Sequence, residues 1–274
     1  MGGLLATLVG SYATLRVFVT SYNRTGTEMD ERGVAIGVVS KLTALLGIRF
    51  EQLERNRWRE YPNTNKHSIG SRVDTLVVAF GGGALQLAQI PSAEFVSATN
   101  ELCCDRLFLT DPSQTWYLRD ADGSWNGIES LKSRLRAYRS LKGYRNVVLI
   151  GNCLGGTAAL LCADVADAVL AFNPQIDPQH HAMFKYRLGA RRLPQHVRDG
   201  LPEAIKEATR KCPSVYLHCS DNPVERREGA KLACIPNVNI TYHPWSRANT
   251  NLPGNLKKQN QLIPLLQDVV DSFR

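Results

Sequence analysis

The chain has 274 residues, with 33 Lys and Arg against 25 Asp and Glu (net charge +8), and is 43% hydrophobic and 21% charged. That describes an ordinary globular protein long enough for one large core, predicted as a single domain over residues 1–274. Much of the positive charge is Arg spread along the chain, with no run of five or six like charges, which argues against nucleic-acid binding. Seven Cys, an odd number without a C-x-x-C pair, argue against a disulfide framework or zinc site and for reduced thiols in a cytoplasmic setting.

Met1 to Tyr22 is apolar only in patches. Arg16 interrupts it, and it reads neither as a signal peptide nor as an integral membrane segment, so residues 1–33 are expected to form a peripheral segment. Val34 to Trp58 carries apolar residues at helical spacing, and Tyr61 to Asn65 reads as a turn cluster. Thr75 to Phe80 is a buried strand that runs into Gly81-Gly82-Gly83. A dinucleotide loop would require a further glycine at Gln86, which leaves an oxyanion-type loop or a plain tight turn. Arg106 to Thr110 is the next strand. Asp111, Trp116 and Tyr117 follow at its carboxyl end, where they either line a substrate pocket or pack the loop down. Residues 128–143 form an amphipathic crossover helix.

Val147 to Ile150 is a short apolar strand, and from Thr157 onward the residues are small, apolar helix formers. Between them stands Gly151-Asn152-Cys153-Leu154-Gly155-Gly156, the spacing of a nucleophile elbow with Cys in place of Ser. The glycines answer a steric need, because side chains two residues either side of a strained turn would strike the strand or helix. The helix that follows directs its free N–H groups at residue 153, which favours a thiolate or an oxyanion. The alternative is a buried Cys in a Gly-rich turn that performs no chemistry.

Ala168 to Pro174 reads as a fourth strand, and Ser214 to Cys219 and Asn237 to Tyr242 as two more. Residues 175–212 show no strand pattern, are rich in Arg, Lys and His, and lie where a lid insertion would fall. His180-His181 lack a third ligand at metal spacing, so no metal site is expected. Leu256 to Phe273 closes the chain as an amphipathic helix. The alternation of strand and helix predicts an α/β architecture, a mostly parallel sheet with helices on both faces.

Gly-x-Cys-x-Gly-Gly after a buried strand, an acid after a later strand and a last strand leading to the final helix resemble the α/β-hydrolase superfamily. Over residues 70–273 the chain is similar to bacterial-type hydrolases whose elbow reads Gly-x-Ser-x-Gly-Gly. It shares with them an Asp-x-x-Gln-x-Trp-Tyr segment (Asp111, Gln114, Trp116, Tyr117) and a Phe-x-Pro-Gln segment (Phe172, Pro174, Gln175). The resemblance implies Cys153 as nucleophile. The Leu154 N–H would form half of an oxyanion hole, with a group from Gly81, Gly82 or Gly83 as the other half. Asp221 or Glu225 would be the acid. The family's His position is occupied by Thr250, so His243 is the remaining candidate base; the alternative is an ordinary strand residue with one hydrogen bond.

Two functions are therefore expected from the sequence. The first is hydrolysis of a small-molecule ester or thioester through an acyl-Cys153 intermediate, with no metal or organic cofactor. The second is a catalytically inactive hydrolase-like scaffold that binds a ligand or partner.

Overall fold

The computed structural model describes residues 59–63, 74–82, 104–111, 115–120, 123–177, 193–244 and 251–273, together with Phe95, Ala98, Thr99 and Leu102. Among them, seven strands form one sheet: β1 (Arg59–Asn63), β2 (Thr75–Phe80), β3 (Asp105–Thr110), β4 (Asn146–Asn152), β5 (Ala168–Phe172), β6 (Ser214–Ser220) and β7 (Val238–His243). Their order is β1-β3-β2-β4-β5-β6-β7. Every neighbouring pair is parallel except β1 with β3. The expected mostly parallel sheet is what forms.

The central strands β2, β4 and β5 read as largely continuous apolar runs because both of their faces are covered. Along β2, Leu76, Val78 and Phe80 enter one core, while Val77 and Ala79 enter the other. The first core is closed by helices α1 (Gly127–Lys142), α2 (Leu154–Leu161) and α3 (Gln195–Lys211), which contribute Leu131, Leu160 and Ile205 among others. The second is closed from the C-terminus by α5 (Leu252–Lys258) and α6 (Leu262–Asp271), through Leu256, Leu266 and Val270. A short helix, α4 (Pro223–Ala230), follows β6 and is capped by the Asn222 side chain, which accepts from the Val224 and Glu225 N–H groups.

Two expectations are corrected. Residues 61–63, read as a turn, belong to edge strand β1, where Pro62 pairs opposite Leu107. Proline is tolerated on an edge strand because one side of it has no ladder to donate to. The C-terminal helix is two helices, since Asn260 adopts φ 57° between them. Pro253 and Gly254 lie inside the first of these, in the turn capped by Asn251, whose Oδ1 accepts from Gly254 N at 3.2 Å. In the region expected to hold a lid, residues 195–211 form α3, whose buried face (Leu201, Ile205, Ala208) packs into the core; residues 178–192 lie outside the described residues. Residues 1–58 and the helical spacing read there also lie outside them.

Candidate active site

The carboxyl ends of β2, β4, β5, β6 and β7 all open at one edge of the sheet, where ligands bind in parallel α/β folds. Cys153 stands at the end of β4 with φ 54° and ψ −115°, and α2 begins at the next residue. A positive φ outside glycine is uncommon and persists only when its surroundings enforce it. Here the Cys153 N–H donates to Phe172 O at 2.8 Å, and its carbonyl accepts from Thr157 N at 3.1 Å and Thr157 Oγ1 at 3.2 Å. The flanking glycines permit the turn. A methyl on Gly155 would sit 2.9 Å from Gly81 O and closer still to Phe80 O; one on Gly151 would sit 2.7 Å from Gly156 N. Cys153 itself is half-buried, while Asn152 and Leu154 beside it are buried. The first N–H groups of α2, beginning with Leu154, have no partner within the helix by position, so they face the open edge beside the thiol.

A hydrogen-bond chain joins the elbow to the two other segments that carried the family resemblance. Thr157 Oγ1 lies 3.0 Å from Gln175 O and accepts from Gln175 N at 2.8 Å, while Trp116 Nε1 donates to Gln175 Oε1 at 2.9 Å. Trp116 and Tyr117 hold φ of 57° and 61° and are fully buried. The Asp111 carboxylate fastens that turn by accepting from Thr115 N at 2.7 Å and Tyr117 N at 2.9 Å. Asp111, Trp116 and Tyr117 thus brace the site from behind. The Tyr117 hydroxyl lies 2.9 Å from Leu109 O and 3.1 Å from Gly81 O. The Gly81 N–H is committed to Leu109 O at 2.8 Å, and Gly83 lies outside the described residues.

The expected acid and base are placed apart. Asp221 is exposed and its carboxylate pairs with the Arg226 guanidinium, which holds it below the usual carboxylate range. Its tie to His243 is through the backbone, Asp221 N donating to His243 O at 2.7 Å. Glu225 sits in the first turn of α4. The His243 ring meets another imidazole, with Nε2 3.0 Å from His218 Nδ1. His218 is buried on β6 and stacks on Phe172, with centroids 5.0 Å apart at 18°. Burial, and secondarily the neighbouring His243, push His218 down to about 4; burial also lowers His243. Both shifts favour the neutral imidazole, and in a neutral pair one ring nitrogen donates to the other. Strands β5 and β6 intervene between β4 and β7, and at about 4.8 Å per strand that separates the ends of β4 and β7 by about 14 Å. The structure therefore brings together Cys153, Leu154, Gly81 and the Asp111–Tyr117 turn, and it pairs the His243 ring with His218. Thr250 lies outside the described residues.

Sequence reasoning missed His218, Thr157 and Asn173. The last holds φ 43° just after β5, where its side chain bonds Ser220 through Nδ2 to Oγ (3.0 Å) and through Oδ1 from N (2.7 Å). A signal for His218 existed: an imidazole inside the apolar Val215–Cys219 run must find a partner, and only the register with β7 shows which. Among the described residues no group of three His, Cys, Asp or Glu is placed to hold a metal ion, and no helix is long and apolar enough to cross a membrane.

Against solved structures, the chain is similar to Est1E from Butyrivibrio proteoclasticus with ferulic acid bound. The TM-score is 0.54 at 12% identity, covering 77% of this chain and 96% of that one. The Pyrobaculum calidifontis esterase gives 0.54 at 10% identity over 86% and 92% of the two chains. Thermogutta terrifontis esterase 2 gives 0.50 at 14% identity over 79% and 90%. No protein-family model matches the chain, and no curated protein matches it in sequence. The chain has the α/β-hydrolase fold.

Proposed function

We propose that the protein hydrolyses a small-molecule ester or thioester through an acyl-Cys153 intermediate. One observation carries this reading: the elbow at Cys153 keeps its strained backbone, held by Phe172 O and the crowded glycines, with the thiol half-exposed at the start of α2. Strained backbone that its surroundings hold in place clusters at active sites, which supports this reading. The solved structures similar to this chain are esterases, which agrees with the reading.

In this reading the Cys153 thiolate attacks the acyl carbon, and the carbonyl electron pair moves onto oxygen beside the Leu154 N–H. Collapse of the adduct re-forms the carbonyl and expels an alkoxide or thiolate, after which water releases the acid. Since His243 is engaged with His218, a leaving group that departs without a proton suits the site best, which favours thioesters over alkyl esters. A reduced Cys153, outside any disulfide, is in keeping with a reducing, cytoplasm-like setting.

The test is turnover of short-chain acyl thioesters and nitrophenyl esters by wild type, Cys153→Ala and His243→Ala, with mass spectrometry of the quenched enzyme. An acyl adduct on Cys153, and turnover lost in Cys153→Ala, is the expected result. No adduct and no turnover by wild type would refute catalysis and return the fold to a binding scaffold.

A further inference from the structure

We infer that Tyr117 is a positioning residue for oxyanion stabilisation: its hydroxyl sets the Gly81–Gly82 peptide so that the Gly82 N–H faces Cys153. This rests on the acyl-transfer reading above and names the second oxyanion donor within it.

The argument starts from strand register. Phe80 on β2 pairs with Leu109 on β3 at one side and with Gly151 on β4 at the other. Two residues further along each chain, just past the ends of β2 and β4, come Gly82 and Cys153. In an extended strand the N–H and C=O of one residue point to the same side, and those of the next residue to the opposite side. Gly81 N–H reaches Leu109 O at 2.8 Å, so the polar groups of Gly81 face β3. Its carbonyl oxygen lies 3.1 Å from the Tyr117 hydroxyl, which also reaches Leu109 O at 2.9 Å.

A trans peptide is planar, with its C=O and N–H directed oppositely, and the described residues contain no cis peptide bond. With Gly81 C=O turned toward Tyr117, the Gly82 N–H turns away from β3, toward β4 and the thiol. The first turn of α2 rests on this same peptide, since Gly155 leaves room for no more than hydrogen beside Phe80 O and Gly81 O. Leu154 N–H and Gly82 N–H are thereby held at one place, on either side of the thiol.

Tyr117 is well suited to hold that plane. It is fully buried, packed edge-on against Phe80 at 5.3 Å, and its own N–H is fastened by Asp111. The hydroxyl cannot swing to solvent. A peptide fixed in advance stabilises the developing oxyanion without reorganising during the reaction.

The test compares wild type, Tyr117→Phe and Tyr144→Phe in the full chain. Tyr144 loses an equivalent hydroxyl contact, to Asp105, at the opposite end of the sheet, and so reports the purely structural effect. The substrate is p-nitrophenyl butyrate, and the inhibitor is an alkyl trifluoromethyl ketone that forms a tetrahedral adduct on the thiol. In Tyr117→Phe, kcat should fall roughly tenfold with KM nearly unchanged, less than the roughly 10²–10³ of deleting a donor outright. Ketone affinity should weaken by the same factor as kcat/KM. Tyr144→Phe should lower Tm and leave kcat alone. Wild-type kcat and ketone affinity in Tyr117→Phe would overturn the inference while leaving Cys153 catalysis standing. A wild-type enzyme that never acylates Cys153 removes both together.

Discussion

Gly155→Ala probes the packing that holds the elbow. The added methyl carbon would lie 2.9 Å from Gly81 O and closer to Phe80 O, main-chain atoms at and just past the end of β2 that no rotamer change can move. Carbon–oxygen contacts settle at about 3.3 Å, so the tighter contact, to Phe80 O, requires α2 and the end of β2 to part by roughly an ångström. Overpacking of this kind costs about 1–3 kcal/mol. In a domain of this size that is a Tm loss of about 2–12 °C. Because Leu154 and Cys153 ride on the same turn, acylation should slow as well, by roughly 10- to 100-fold for a displacement approaching an ångström. Gly200→Ala is the matched control: its methyl meets nothing within 4 Å on the exposed side of α3, and it should stabilise by about 0.5–1 kcal/mol. Differential scanning calorimetry and a rapid-quench acylation assay read both effects. A Gly155→Ala protein that melts and acylates like wild type would show that the strand–helix contact at the elbow is slack, and the steric account would fall.

Further outcomes follow from the same geometry. Cys153→Ser should lose roughly 100-fold or more in turnover, because a serine hydroxyl ionises far less readily than a thiol at a helix N-terminus; equal activity would mean that a base activates the hydroxyl. His218, held near 4 in the fold against 6.5 unfolded, binds fewer protons folded than unfolded between those values. Its contribution to stability is therefore complete above pH 6.5 and falls away by about 3 kcal/mol as pH drops toward 4. Urea unfolding at pH 7.5 and 5 should show about 2 kcal/mol of that loss in wild type and much less of it in His218→Gln; identical pH dependence in the two proteins would refute the assignment. Glu228 is buried and accepts from Asp177 N at 2.8 Å and Lys231 Nζ at 2.7 Å. Glu228→Ala leaves both donors without that acceptor and should cost about 3 kcal/mol, a figure denaturant titration checks directly.

Residues whose role is set by their immediate neighbours in the chain were legible from sequence. Thr75 to Phe80 and Val147 to Ile150 read as strands because a doubly covered sheet demands apolar side chains on both faces. The turn at Cys153 was legible because its sterics act over two residues either way, and only glycine meets them. Edge strand β1 was not, since its polar, Pro-containing segment is a strand only by virtue of pairing with β3. Nor was the break at Asn260, where the apolar spacing runs on through a residue that leaves the helix.

The site divides in the same way. The nucleophile and its helix are contiguous in sequence and could be read there. The partners of Asp221, His243 and Tyr117 could not, because His218 and His243 are joined only by the register of β6 with β7. Tyr117 likewise reaches Gly81 only because β3 lies beside β2. Local sterics and hydrophobic period are written in the order of the residues. Which polar group meets which depends on strands brought side by side, and that was decided by the tertiary fold alone.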